Sequence, residues 1–454
     1  MFDKAQSRRS FLGTLGKAGV AVAAAPSIVP RHVLGGPGYR APSDTVNVAC
    51  VGVGGMGKVN LRNMDDVNVV ALCDVDWEFS APVFETYPNA ARYWDYRRML
   101  DDMSDQIDGV VIATPDHTHA LITLAAMENG IHVYTQKPLT WSVREARQLG
   151  HAAERYDVVT QMGNQGRSED ITRDIAEQVK AGTIGDVQQV HVWTNRPIWP
   201  QGIEMPSVLK RTPDTLNWDL FLGPAAEMDY DPAFHPFSWR GWVPFGCGAL
   251  GDIAAHSFAY VATALDLDAP TTVETRSSAF NGDSFPVATT THYDFPRRGD
   301  RAPVKMLWYD GGFKPPRPDG LDDGDWLESG GMMYVGSNGT LLHMNGLQLL
   351  RNGRKEELPE VPKLYDRIEN ESHENNWLRA IRGEEEATSP FSFAAPLTET
   401  VLLGVVSLKA GNRKLHWDAE NMRVTNISDA NQFLRREARS GWELPTFTVA
   451  AGTE

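Results

Sequence analysis

The stretch VNVACVGVGGMGKVNLRNM, residues 46–64, decides the fold. A short β-branched run leads into G-x-G-x-x-G at Gly52, Gly54 and Gly57, and a helix-compatible segment follows. The first glycine permits the tight turn, the second lets a pyrophosphate approach the backbone, and the third lets helix and strand pack closely. The helix N-terminus then faces the phosphates, with Gly55 and Met56 completing the loop. A glycine triplet alone is weak evidence. Here a second strand-like run, VNVVALCD (67–74), ends in Asp74, about 20 residues on, where an acid grips a ribose diol. A carboxylate there also repels a 2′-phosphate, which favours NAD over NADP.

Further strand-like runs follow at IDGVVIATP (107–115), IHVYTQKP (131–138) and VVTQMGNQG (158–166). Helix-like segments separate them, HALITLAAMENG (119–130) and SVREARQLGHAAERY (142–156). Strand–helix alternation predicts a parallel, doubly wound α/β sheet. Loops at the carboxyl ends of such strands line the cofactor crevice. Thr114, Pro115, Gln136, Lys137, Asn164 and Gln165 are therefore expected around one cleft, with His119 close by. Lys137, held between Gln136 and Pro138, is expected at its nicotinamide end.

The chain has 454 residues, 42% of them apolar, which predicts two globular domains. A net charge of −16 argues against nucleic acid or an anionic membrane as the main partner. No stretch reads as long and apolar enough to span a lipid bilayer. Cys50, Cys73 and Cys247 show no CxxC spacing, and Cys50 and Cys73 read as buried, inert thiols. At the N-terminus, SRRSFLGTLGKAGVAVAAAPS (7–27) pairs Arg8-Arg9 with Phe11-Leu12 and a weakly apolar run ending in small residues. That is the layout of a twin-arginine export signal over residues 1–35, which predicts a periplasmic or otherwise exported protein and the export machinery as a partner. The alternative is a basic amphipathic helix. A Rossmann NAD-binding domain is expected over 43–166 and a substrate and oligomerisation domain over 167–454.

GVGGMG, CDVD, ATPDHTHA, YTQKPLT and, later, GALGDIAAH occur in this order. Together they resemble the glucose–fructose oxidoreductase / inositol dehydrogenase (Gfo/Idh/MocA) family over nearly all the chain after the signal. The resemblance implies a Rossmann domain followed by an α/β domain on an open, mainly antiparallel sheet. It further implies tightly held NAD, a sugar or polyol substrate and a homo-oligomer. The family's lysine, in a Glu-Lys-Pro motif, maps onto Lys137, and its aspartate and histidine map onto Asp252 and His256. Gln136 departs from the pattern, standing where the family has Glu. The chain also resembles an exported subgroup in which some members are NAD-dependent glycosidases.

Asp252 and His256 stand at i and i+4 in GCGALGDIAAHSF, on one helix face. Oxidising a secondary alcohol needs a base for the hydroxyl proton, and histidine titrates near neutral pH. Lys137 could hold the same oxygen. A surface Asp–His contact is the bland alternative. His117 and His119, at i and i+2, converge poorly on a metal, and none is assigned. VHVWTNRPIWPQG (190–202) and FHPFSWRGWVPFG (234–246) are dense in aromatics that stack on sugar rings. Trp193, Trp199, Trp239, Trp242 and Arg240 are the substrate candidates there, with Asn164, His191 and Arg196 as weaker ones. Tyr134, His119 and His191 are candidates for a base acting at a neighbouring ring carbon. The alternative for the tryptophans is ordinary core packing.

Overall fold

The computed structural model describes residues 45–207 and 210–445, so the expected export signal lies outside the described residues. Six parallel strands form the first sheet: β1 (Val46–Val51), β2 (Val67–Cys73), β3 (Ala91–Tyr93), β4 (Gly109–Ile112), β5 (His132–Thr135) and β6 (Thr160–Met162). Their order is β3-β2-β1-β4-β5-β6, the doubly wound arrangement in which the chain reverses beside β1. β1 and β4 are almost wholly buried, as strands covered on both faces must be. The short β3 escapes a sequence reading because three residues show no period.

Helix α1 (Met56–Arg62) starts directly after the glycine loop. Helix α2 (His119–Glu128) follows β4. Helix α3 (Val143–Tyr156) carries a complete capping box, Ser142 with Glu145, at the expected start.

The second sheet has ten strands, in the order β14-β13-β12-β11-β7-β10-β9-β8-β15-β16. Its centre comprises β7 (Val187–Trp193), β8 (Thr272–Ser277), β9 (Thr289–Phe295), β10 (Val304–Tyr309) and β11 (Gly331–Gly336). β12 (Gly339–His343), β13 (Leu347–Arg351) and β14 (Arg354–Glu356) extend one edge. β15 (Leu415–Asp418) and β16 (Arg423–Val424) extend the other. Only the β7–β10 pair is parallel. β9 buries alternate residues, the signature of one face on the core. The GSNGT turn (336–340) joins β11 to β12 as an antiparallel hairpin.

Two long helices lie in the core, α4 (Gly248–Leu265) and, after α5 (His373–Ile381), α6 (Phe391–Lys409). The reading that no stretch could span a bilayer is corrected by α6, which is long and apolar enough on length and composition. Most of it is buried inside the protein, which is why it is apolar. Pro396 sits within its first turns. α5 returns to the first sheet: a Cβ on Gly109 would come within 2.7 Å of the Trp377 ring. Cys50, Cys73 and Cys247 are free and buried, and burial pushes their thiols up.

Candidate active site

The loops after β1, β2, β4 and β5 converge on one cleft of about 490 Å³, roofed by segments from the second half of the chain. Gly52 has φ +82, and a Cβ there would lie 2.7 Å from the Ala113 and Thr114 backbone. A Cβ on Gly57 would meet the Gly52 carbonyl oxygen at 2.2 Å. No side chain fits at either place, which is the steric demand of a phosphate-binding turn. Gly54, Gly55 and Met56 face the cleft, while Gly57 does its work behind it.

Asp74 lines the cleft, and its carboxylate accepts Val53 N at 2.7 Å, Gly54 N at 3.2 Å and Asp76 N at 2.9 Å. Burial raises its pKa against those stabilising amides. It thus braces the glycine loop from the position where a ribose hydroxyl would sit. Asp95 lines the same wall, and the only lysine or arginine side chains lining the cleft among the described residues are Lys137 and Arg240. The cradle, its apolar walls and this acidic end fit a dinucleotide.

Thr114, Pro115, Gln136, Lys137 and Gln165 line the cleft as expected from their strand-tip positions. At that end the Lys137 ammonium donates to Asp252 Oδ1, Arg240 Nε lies 3.9 Å from the same oxygen, and His256 lines the wall. Burial alone would raise the Asp252 carboxyl, but Lys137 and Arg240 outweigh it and hold it below its ordinary value. Burial, reinforced by Lys137, drives His256 down to about 3. So placed, His256 is a neutral imidazole near pH 7, able to hold a hydroxyl.

Gln136 is buried, and its amide donates to Asn60 Oδ1 at 3.0 Å, while Asn60 Nδ2 donates to Glu374 Oε1 at 2.7 Å. A glutamate at 136 would have no proton for Asn60 and would add a second carboxylate beside Glu374. The amide is what this network requires.

Several expected residues lie elsewhere. His119 is 1% exposed, with its ring nitrogens 2.9 Å from Pro138 O and 2.8 Å from Thr114 O. It ties two strand tips together instead of touching the cofactor cleft. His117 likewise meets Phe221 O at 2.8 Å. Asn164 is fully buried, and its amide has no protein partner among the described residues. Tyr134 is also fully buried, held by Gln165 and Glu374.

His191 stacks on Tyr309. Trp193 donates to Glu328 O, and Trp242 donates to Ala233 O, each inside an apolar cluster. Arg196 is half-buried outside the cleft. Of the four candidate tryptophans, Trp193, Trp199, Trp239 and Trp242, Trp239 alone lines the cleft, and Trp199 stands behind Arg240, whose guanidinium lies 4.2 Å from the Trp239 ring centroid. The ring periodicity of a loop carries no direction, so the sequence could not sort them.

Phe79, His235, Phe237 and Trp442 also line the cleft. His235 Nε2 meets Asp76 Oδ2 at 2.8 Å, and Asp76 pairs with Leu216 in an isolated antiparallel bridge. The aromatic run 234–246 hinted at two of these residues. Nothing local marks Phe79 or Trp442.

Residues 46–164 match the Gfo/Idh/MocA family model, described as an oxidoreductase family with an NAD-binding Rossmann fold. This segment is therefore similar to the NAD-binding Rossmann domain of that family. The chain is 30% identical over 210 residues to a glycosyl hydrolase family 109 protein of Shewanella pealeana, covering 41% of this chain and 46% of that protein. It is 31% identical over 153 residues to inositol 2-dehydrogenase 1 of Saccharopolyspora erythraea, covering 32% and 45%. The chain thus spans less than half the length of these curated relatives. An inositol dehydrogenase homologue of Azotobacter vinelandii, solved with NADH and myo-inositol, superimposes with TM-score 0.57 at 17% identity, over 82% of this chain and 98% of that one. The likeness in fold to that structure therefore extends through both sheets.

Proposed function

We propose that this protein is an NAD-dependent oxidoreductase that transfers hydride at a ring CH–OH of a sugar, polyol or glycoside. The observation that carries this reading is the meeting of Lys137, Asp252 and His256 at one end of the cleft whose other end is the glycine loop. Bound NAD would supply the hydride acceptor. The glycine loop and Asp74 would hold it, and the Asp74 carboxylate at the ribose position favours NAD over NADP. A ring hydroxyl at the inner end would lie against Lys137 and His256. Neutral His256 orients the oxygen, Lys137 takes its proton, and Asp252 holds the lysine in place. Trp239 and Arg240 form the adjacent wall, suited to a sugar face and its hydroxyls.

A second reading, redox-neutral glycoside hydrolysis with retained NAD, is favoured by the roof over the cleft and by the likeness to family 109 glycosyl hydrolases. We further propose export by the twin-arginine route to the periplasm, tight NAD retention and a homo-oligomer, without nucleic-acid or stable membrane partners. Denaturing the purified protein and assaying the supernatant tests retention, with one NAD per chain expected. Aryl glycosides and free sugars offered without added cofactor then separate the readings. Aglycone release without net NADH identifies the glycosidase, and NADH formed only with added NAD and a free sugar identifies the dehydrogenase. Neither product with any sugar or glycoside would overturn both.

A further inference from the structure

Arg436 has 10% of its side chain exposed, and Nε, Nη1 and Nη2 are all buried with no hydrogen-bond partner among the described residues. A guanidinium carries five N–H donors, and an unpaired buried charge is costly. The nearest acid among the described residues, Glu145, stands 3.9 Å from Nε, beyond hydrogen-bond reach. Its other oxygen accepts Ser142 N at 2.8 Å and Trp141 N at 3.1 Å. The guanidinium sits over Trp141, 3.8 Å from the ring centroid, and the Lys409 ammonium lies 4.0 Å from the same centroid. Two cations thus meet at one indole. Arg436 also lines a cavity of about 220 Å³ between the first turns of α3 and residues 435–444. Arg144 and Arg435 line it too, so three guanidiniums face the two carboxylates of Glu145 and Glu443. Glu443 is turned to Gly441 N, which it accepts at 2.8 Å. The cavity therefore carries a positive excess in a chain whose net charge is −16.

We propose that this cavity is a binding site for a small oxyanion, a phosphate or a carboxylate, with Arg436 as its principal donor. The planar guanidinium fork matches such an anion two bonds at a time, and a charge-assisted bond is roughly twice as strong as a neutral one. One negative charge balances the surplus guanidinium. The cavity has less than half the volume of the cofactor cleft, which limits the ligand to a small anion. The anion also ties the C-terminal segment to α3, beside the bond from Gln148 Nε2 to Pro445 O at 3.2 Å. That segment supplies Trp442 to both this cavity and the cofactor cleft. The Arg97 guanidinium lies 4.3 Å from the Trp442 ring centroid, and Arg439 fixes the stretch by donating to Asp219 Oδ1 at 2.7 Å and Gly223 O at 2.8 Å. A bound anion thus steadies one wall of the nucleotide site. This consequence, unlike the site itself, rests on reading the cleft as the NAD site.

The test titrates the full chain, loaded with NAD so that the glycine loop is filled, with inorganic phosphate and separately with acetate. Calorimetry at constant ionic strength, set with sodium chloride, reads the binding. One anion per chain is expected, weakened at least tenfold in Arg436→Met, which keeps an apolar stem over Trp141 and removes the charge. Binding of phosphate alone assigns the site to phosphate, and binding of acetate alone to a carboxylate. No saturable heat with either anion, or wild-type affinity in Arg436→Met, would overturn the proposal. Should Arg436→Met not fold, Arg144→Gln with Arg435→Gln changes only a half-buried and an exposed side chain and should weaken the anion several-fold; an unchanged affinity counts equally against the site. Stopped-flow trapping of released NAD reads the link to the cofactor. Phosphate should slow the release several-fold in the wild type and not in Arg436→Met, and a release rate indifferent to the bound anion would strike the link. If the protein takes up no NAD, the cofactor reading fails, and the same titration of the bare chain against Arg436→Met still decides the anion site.

Discussion

At Lys137 a cation sits at a strand tip with 14% of its side chain exposed, tied to Asp252 and aimed into the cleft. Lys137→Ala removes the proton carrier and leaves the glycine loop intact, so turnover should vanish while NAD stays bound. Equilibrium dialysis beside a turnover assay checks both halves, and wild-type-like turnover would sink the role. Asp74 both braces the loop and faces the ribose position. Asp74→Ala should weaken NAD binding by tenfold or more, about 1.4 kcal/mol, and narrow the preference against NADP; calorimetry with both cofactors reads this. Gln136 shows how a departure from a motif is settled by neighbours. Gln136→Glu should destabilise the fold by roughly 1–3 kcal/mol, because it sets a carboxylate against Asn60 Oδ1 beside Glu374, and denaturant unfolding measures it.

Strand tips placed the site because parallel strands share a direction, so their carboxyl ends gather at one edge. Positions 114, 115, 136, 137 and 165 were legible for that reason. The roof was not. It is built by residues 215–237, which cross to the loop after β2 through Trp77 N to Thr215 O, Asn217 N to Val75 O and the Asp76–His235 contact. Burial would raise the Asp76 carboxyl, yet His235 and backbone amides hold it below its ordinary value. If this tie keeps the roof down, Asp76→Asn should speed the release of bound NAD several-fold with little change in the chemical step. Stopped-flow trapping of released NAD would show it, and an unchanged off-rate would assign retention to the glycine loop alone.

Across the whole molecule, burial holds His117 and His256 near 3 and His119 and His373 near 4. The unfolded chain protonates all four as pH falls below about 6.5, whereas the folded chain does not until about pH 4. The unfolded state then binds more protons, so stability falls with pH. Asp116, raised to about 7, and Asp310, raised to about 6, act in the opposite direction because the folded state protonates them first. For these six groups the difference approaches two protons, roughly 3 kcal/mol per pH unit between pH 6 and 4.5, and His191, also held near 4, steepens it in the same direction. Chemical denaturation at pH 7, 6 and 5 should show a steep loss, and a flat profile would mean these imidazoles are hydrated. The same burial, with Lys137 beside it, sets His256 far below the ordinary imidazole range, and neither proximity to Lys137 nor distance from water is visible in a spacing of four.

The sequence by itself determined the Rossmann half, from the glycine spacing to Asp74, because a phosphate turn tolerates no side chain at Gly52 or Gly57. It also determined the α4 pair, because i and i+4 always share a helix face. Only the tertiary structure decided which aromatics reach the cleft, that Gln136 serves Glu374 through Asn60, and that Arg436 is a buried guanidinium over Trp141. Those outcomes depend on groups up to several hundred residues apart, and the energies that set them, desolvation and charge, act through space and not along the chain.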